Sequence, residues 1–141
     1  MPRPRREEVR KGIAEEIKSV ARQQMSERGT AGLSLRAIAR ELNITAPAIY
    51  NYYHSLDDLI TALIADDFTD LAVSMENAMS NCLSDEMVQK IEAMLFAYRQ
   101  WAIEHPVDFQ LIYGNPIPGY QAPFELTGPL AKMLSERGKM D

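Results

Sequence analysis

The 141-residue chain holds a single cysteine, Cys82, so no internal disulfide can form. It holds two histidines, His54 and His105, far apart in sequence. With one cysteine they give no Cys/His metal-ligand spacing. There is no Gly-x-Ser-x-Gly elbow and no phosphate-binding glycine loop. No apolar run approaches the length needed to cross a bilayer, and no secretory hydrophobic segment opens the chain. These absences predict a cytoplasmic protein that is not an enzyme, needs no cofactor or metal and does not associate with a membrane. Asp66 and Asp70 stand four apart on one helical face. Such a pair can serve as acid and base or hold a metal, but a solvated acidic face is the favoured reading.

Glycine is absent from Leu33 through His105, and Pro47 is the only proline there. Nothing in that span is forced to break a helix, and no alternating strand pattern or internal repeat occurs. The spacing is helical throughout, and the expected fold is all-α. From Glu7 to Arg28 the apolar residues Val9, Ile13, Ile17, Val20, Ala21 and Met25 recur at three and four. Gly29 is placed to end that helix. Ser34 can cap a second, with Leu35, Ile38, Ala39 and Leu42 on one face, and Asn43 suits a left-handed stop. Thr45 can cap a third, with Pro47 in its first turn. Ser55 can cap a long fourth, with Asp58 as capping-box partner. A fifth is expected after Ser84-Asp85-Glu86, with Val88, Ile91, Leu95, Tyr98 and Ala102 as its stripe, flanked by Met87, Met94 and Trp101. Pro106 ends it, a short sixth runs to Gly114, "GNPIPGYQAP" is a loop, and a last helix is expected from Pro129 to Gly138.

Charge is divided unevenly. Residues 1–54 carry ten Lys/Arg against six Asp/Glu, whereas residues 55–141 carry five against fourteen. A basic first third on an acidic remainder suggests that one end meets a polyanion, although a chance fluctuation of a few charges would look the same.

Two short capped helices separated by "LNI" read as a helix-turn-helix, whose second helix enters a major groove. This gives a role to the unusual run "ITAPAIYNYYH", with three tyrosines, an asparagine and a histidine in five residues. Ile49 and Tyr53 can face inward with Leu42 and Ile44. Tyr50, Asn51, Tyr52 and His54 fall largely on other faces, where phenols can donate to phosphate and asparagine can approach base edges. The N-terminal "PRPRR" can be a minor-groove arm or a solubilising tail.

The run "LSLRAIARELNITAPAIYNYYHSLDDLITAL" resembles the DNA-binding region of the tetracycline-repressor (TetR) family of bacterial transcriptional regulators. The aromatic pair Tyr50 and Tyr53, followed by Ser55, carries the resemblance over about residues 7–70. A weaker likeness runs through "AYRQWAIEHPVDFQLIYGNPIPGY", similar to a subgroup with W-x-x-x-H-P in its regulatory domain. The resemblance implies that Ser34 and Arg36 touch phosphate and sometimes a base. It implies that Thr45, Ala46, Pro47 and Ala48 form the tip of the recognition helix, and that Tyr50 and Tyr52 meet the DNA backbone. Leu56 departs from the pattern, since many members carry Lys or Arg there. Either that contact is missing or His54 partly substitutes for it.

The resulting organisation is a helix-turn-helix DNA-binding domain over residues 1–54, a connecting helix over 55–80 and a helical regulatory domain over 81–141. A largely apolar effector pocket is expected in the last, with Met94, Tyr98, Trp101, Phe109 and Tyr113 as candidate lining beside Met87 and Ile112. A core role for these residues is equally consistent with their helical spacing. Helix four is the element expected to carry motion between pocket and DNA. Family members usually continue through further helices that build a dimer interface, so a homodimer on a two-fold operator is expected, with this chain short of that segment. The alternative function is a helical protein-interaction module that uses the same helices without DNA.

Overall fold

Local side-chain capping decides where three of the helices start. In the computed structural model, which describes residues 3–114, 117 and 119–121, the elements run α1 (Arg3–Arg28), a 3-10 turn (Thr30–Gly32), α2 (Leu35–Glu41), α3 (Ala46–Tyr50), α4 (Leu56–Asn81), α5 (Met87–Glu104) and α6 (Pro106–Tyr113). Among the described residues there is no strand, and the fold is all-α as the sequence predicts. Ser34, Thr45 and Ser55 each accept a hydrogen bond from the backbone N–H three residues on, at 3.3, 3.3 and 3.1 Å. Gly29 leaves α1 at φ +77°, and Asn43 turns the chain between α2 and α3 at φ +57°, the left-handed region that Gly and Asn tolerate best.

A single core joins α1, α2, α3, α4 and α6. Ile17, Ala21 and Met25 of α1, Ile38 and Ala39 of α2, Ile49 of α3, and Leu59, Ile60 and Leu63 of α4 are buried together, and Leu111 of α6 joins the same cluster. α6 thus contributes to the core of the first four helices, although it follows the boundary expected near residue 80. Ile117 and Tyr120 fold back from the loop after α6 onto that core, and the Tyr120 hydroxyl lies 2.8 Å from Thr61 Oγ1.

Two expectations need correction. "PRPRR" is neither arm nor tail from Arg3 onward, because α1 already includes it. The face of α5 is also different. Val88, Ile91 and Leu95 of the expected stripe are exposed, Val88 at 67%. Trp101 is buried, and Met94, Ala97, Tyr98 and Ala102 are half-buried. The physical reason is that α5 carries apolar residues on almost every side, including the exposed Phe96 and Ile103, so its periodicity does not select one face. The helix expected from Pro129 to Gly138 lies outside the described residues.

Candidate nucleic-acid interface

The turn between α2 and α3 is closed by Ile44 N–H donating to the Ala39 carbonyl at 3.0 Å, and burial of Ile38 and Ile49 fixes the two helices against each other. Around this unit Ser34, Arg36, Tyr50 and His54 come together. They line one open groove of about 510 Å³ with Leu35, Ser55 and Leu56, where the starts of α2 and α4 meet the end of α3. Arg36, Tyr50 and His54 are exposed, so a guanidinium, a phenol and an imidazole are free to meet a ligand there. Leu56 is half-buried against the core, and His54 shares its groove.

The tip of α3 is separate from that groove. Thr45 and Pro47 are exposed and Ala46 and Ala48 half-buried, so the helix begins with small side chains and a polar cap. The Thr45 hydroxyl is engaged by Ala48 N–H but retains its own proton for donation.

Asn51 and Tyr52 have partners that sequence spacing does not reveal. Arg10 on α1 donates from Nη2 to the Asn51 carbonyl at 3.0 Å, at the C-terminal end of α3. The same guanidinium lies 5.5 Å from the centroid of the Tyr52 ring. Arg10 was not a sequence candidate. A basic residue one face away from Val9 and Ile13 is the only signal that would have flagged it. Tyr53 faces inward as expected, its hydroxyl 3.5 Å from the Ala14 carbonyl.

The regulatory candidates divide into two groups. Tyr98, Phe109 and Tyr113 touch edge-on or tilted, with centroids 4.9 to 6.3 Å apart, and Phe68 of α4 joins them at 6.4 Å from Tyr113. Trp101 lies outside that cluster. It is buried, stacks on His105 at 4.8 Å, and donates its indole N–H to Asp70 Oδ2 at 2.8 Å. Met94 is half-buried on the same side of α5.

The Asp66 and Asp70 pair is also used. Asp70 accepts a hydrogen bond from the Trp101 indole N–H, and Asp66 pairs with Lys18 of α1 at 2.6 Å. Lys18 bonds Glu15 as well, at 3.0 Å. Burial alone would lower its pKa, but these carboxylates outweigh burial and hold it above the ordinary lysine value. One turn on, Arg22 donates from Nη2 to Asp67 Oδ1 at 3.3 Å and from Nε to Asp108 Oδ1 at 3.2 Å. Asp67 is almost fully buried. Burial, then the neighbouring Asp108 carboxyl, pushes its pKa up to about 8 despite Arg22. As a carboxylate its Oδ2 has no partner. As a carboxylic acid it can donate to Asp108. Among the described residues no cluster of three or more His, Cys, Asp or Glu is arranged to hold a metal ion. No helix among them is long and apolar enough to cross a membrane.

Comparison with known proteins agrees with this geometry. Residues 17–63 match the bacterial regulatory proteins of the tetR family, and residues 91–136 match a tetracyclin repressor-like C-terminal domain. The chain belongs to the TetR family. This TetR-family chain is 39% identical over 127 residues to the HTH-type transcriptional regulators Rv1816 of Mycobacterium tuberculosis and Mb1846 of Mycobacterium bovis. The match covers 90% of the chain and 54% of each relative, so the chain spans about half the length of the curated relatives it matches. Its fold is similar to the crystal structure of a protein described as regulatory, SCO4313, with a TM-score of 0.77 and 35% identity over 91% of this chain and 59% of that one. It also resembles a protein of unknown function from Rhodococcus sp. RHA1, with a TM-score of 0.71 and 25% identity over 89% of this chain and 64% of that one.

Proposed function

We propose that the chain is the DNA-reading and effector-sensing part of a sequence-specific transcriptional regulator that acts as a homodimer on a two-fold operator. The observation that carries this reading is the groove shared by Ser34, Arg36, Tyr50 and His54 beside a small-residue helix tip. Phosphate contacts from the groove would set register, and Thr45, Ala46, Pro47 and Ala48 would approach base edges. The relatives' description as helix-turn-helix transcriptional regulators supports the same reading. It acts as a repressor, released from its operator by a small, largely apolar effector. The aromatic cluster of Tyr98, Phe109 and Tyr113, with Met94 on the same helix side, is the proposed effector contact.

Selection of bound duplexes from a random DNA pool tests this directly. The expected result is a two-fold consensus with half-sites about 34–36 Å apart or at a multiple of that spacing. Affinity for it should fall steeply with salt. Recovery of no consensus, with salt-insensitive retention of other proteins, would favour an interaction module instead. A screen of apolar and aromatic compounds for operator release then tests the effector assignment.

A further inference from the structure

The geometry points to Arg22 as the joint between the DNA-binding unit and the regulatory half, gripping Asp108 of α6 and Asp67 of α4 at once, so that a shift of α6 is delivered to α1 directly. This rests on the proposed DNA-binding function and names how that function is regulated.

Connectivity alone would route any such motion through α4, which links the two halves along the chain. The structure adds a direct contact, with α6 packed on α1. That contact has an apolar part, Leu111 buried with Ile17 and Ala21, and a polar part, Arg22 with Asp108. The residues of the polar part lie 86 positions apart. Apolar surfaces slide with little directional preference, whereas a guanidinium bound to two carboxyl groups through separate nitrogens is held in both distance and angle.

The surroundings give the joint two distinct states. Arg22 reaches Asp67 through Nη2 and Asp108 through Nε, so α6 cannot withdraw without breaking the Nε bond. Asp108 would then leave both Arg22 and the neighbouring Asp67 carboxyl, and Arg22 would be held by α4 alone. The charged and titratable groups facing the joint are Glu15 and Lys18 of α1, Asp66 and Asp70 of α4, and His105 at the start of α6. Lys18 is occupied by Glu15 and Asp66, so it does not replace Arg22. An open cavity of about 570 Å³, lined by Glu15, Arg22, Asp66, Asp70, His105 and Asp108 among others, lies beside the joint and gives α6 room to move.

Hydrogen exchange of free and operator-bound protein tests the joint, using a duplex from the selection above. In the wild type, operator binding should slow exchange in residues 35–53, which touch DNA, and by linkage in residues 106–113 of α6, the latter about fivefold or more. Asp108→Asn and, independently, Arg22→Met should keep the first effect and lose the second. Asp66→Asn, which weakens the Lys18 pair and the longer 4.0 Å approach of Arg22 Nη2 to Asp66 but leaves the Arg22 bonds to Asp67 and Asp108, should keep both, and this separates a joint from general loosening. If slowing in residues 106–113 persists in Asp108→Asn and Arg22→Met, or is lost equally in Asp66→Asn, the joint is refuted. If residues 35–53 of the wild type show no slowing, the DNA-binding function itself fails, and the joint falls with it.

Discussion

Arg10 Nη2 donates to the Asn51 carbonyl at 3.0 Å while its guanidinium covers the Tyr52 ring, so α1 holds the C-terminal end of α3 from outside the helix-turn-helix. The α3 helix is only five residues long and cannot stand alone. A cation at its C-terminal carbonyls opposes the negative end of the helix dipole. Arg10→Ala should therefore weaken operator binding several-fold while leaving the salt slope unchanged. A slope reduced by about one unit would instead make Arg10 a phosphate contact.

Arg36 and Tyr50 are exposed in one groove and carry little of the core. Arg36→Ala and Tyr50→Phe should leave the melting temperature nearly unchanged. Each should weaken binding to all duplexes alike, and loss of the arginine contact should lower the salt slope by about one unit. Titrations at several salt concentrations check this, and wild-type affinity throughout in both variants would remove these residues from the interface.

Ala46 and Ala48 are small and half-buried at the tip of α3. Small residues there permit close approach to base edges and thymine methyls. Ala48→Arg should change the preferred operator more than the overall affinity. Repeating the duplex selection with the variant measures this, and an unchanged consensus would count against that tip lying in the groove.

Trp101 fastens α5 to α4. Its ring is buried and its N–H is satisfied by Asp70. Trp101→Ala should cost about 3–5 kcal/mol in denaturant unfolding, the usual range for a buried tryptophan. Asp70→Ala should cost about 1–3 kcal/mol, because the buried donor then lacks an acceptor. Losses below about 0.5 kcal/mol for both would mean that α5 is anchored elsewhere.

Asp67 gives stability a pH dependence of known sign. Its pKa rises on folding from the ordinary carboxylate range to about 8, chiefly through burial and then through Asp108. The folded state then binds the extra proton between about pH 4 and about pH 8, so this group's contribution is fully present at low pH and is lost as pH rises through that window. Asp67→Asn keeps a neutral donor toward Asp108 and cannot titrate. Its melting temperature should gain on the wild type's as pH rises from about 5 to about 8. A constant difference across that range would show that Asp67 is ionised throughout. Comparing the two proteins at each pH cancels the contributions common to both.

The sequence by itself determined where α2, α3 and α4 begin and where α1 and α2 end. Ser34, Thr45, Ser55, Gly29 and Asn43 act on neighbours no more than a few residues away, and such short-range hydrogen bonds and backbone preferences are written directly in the chain. It likewise determined the core face of α2, whose apolar residues form one clear stripe. The start of α1 was hidden because two prolines in the first residues look like an extended arm, although proline is compatible with a first helical turn. Tertiary structure alone decided the rest. The α5 helix is apolar on several sides, and packing against α4 chose the side with Trp101 over the side with Val88. Arg10 meets Asn51 across 41 residues, and Arg22 meets Asp108 across 86. No local rule selects such partners, because a long basic side chain finds its carbonyl or carboxylate only after hydrophobic burial has fixed which helices lie side by side.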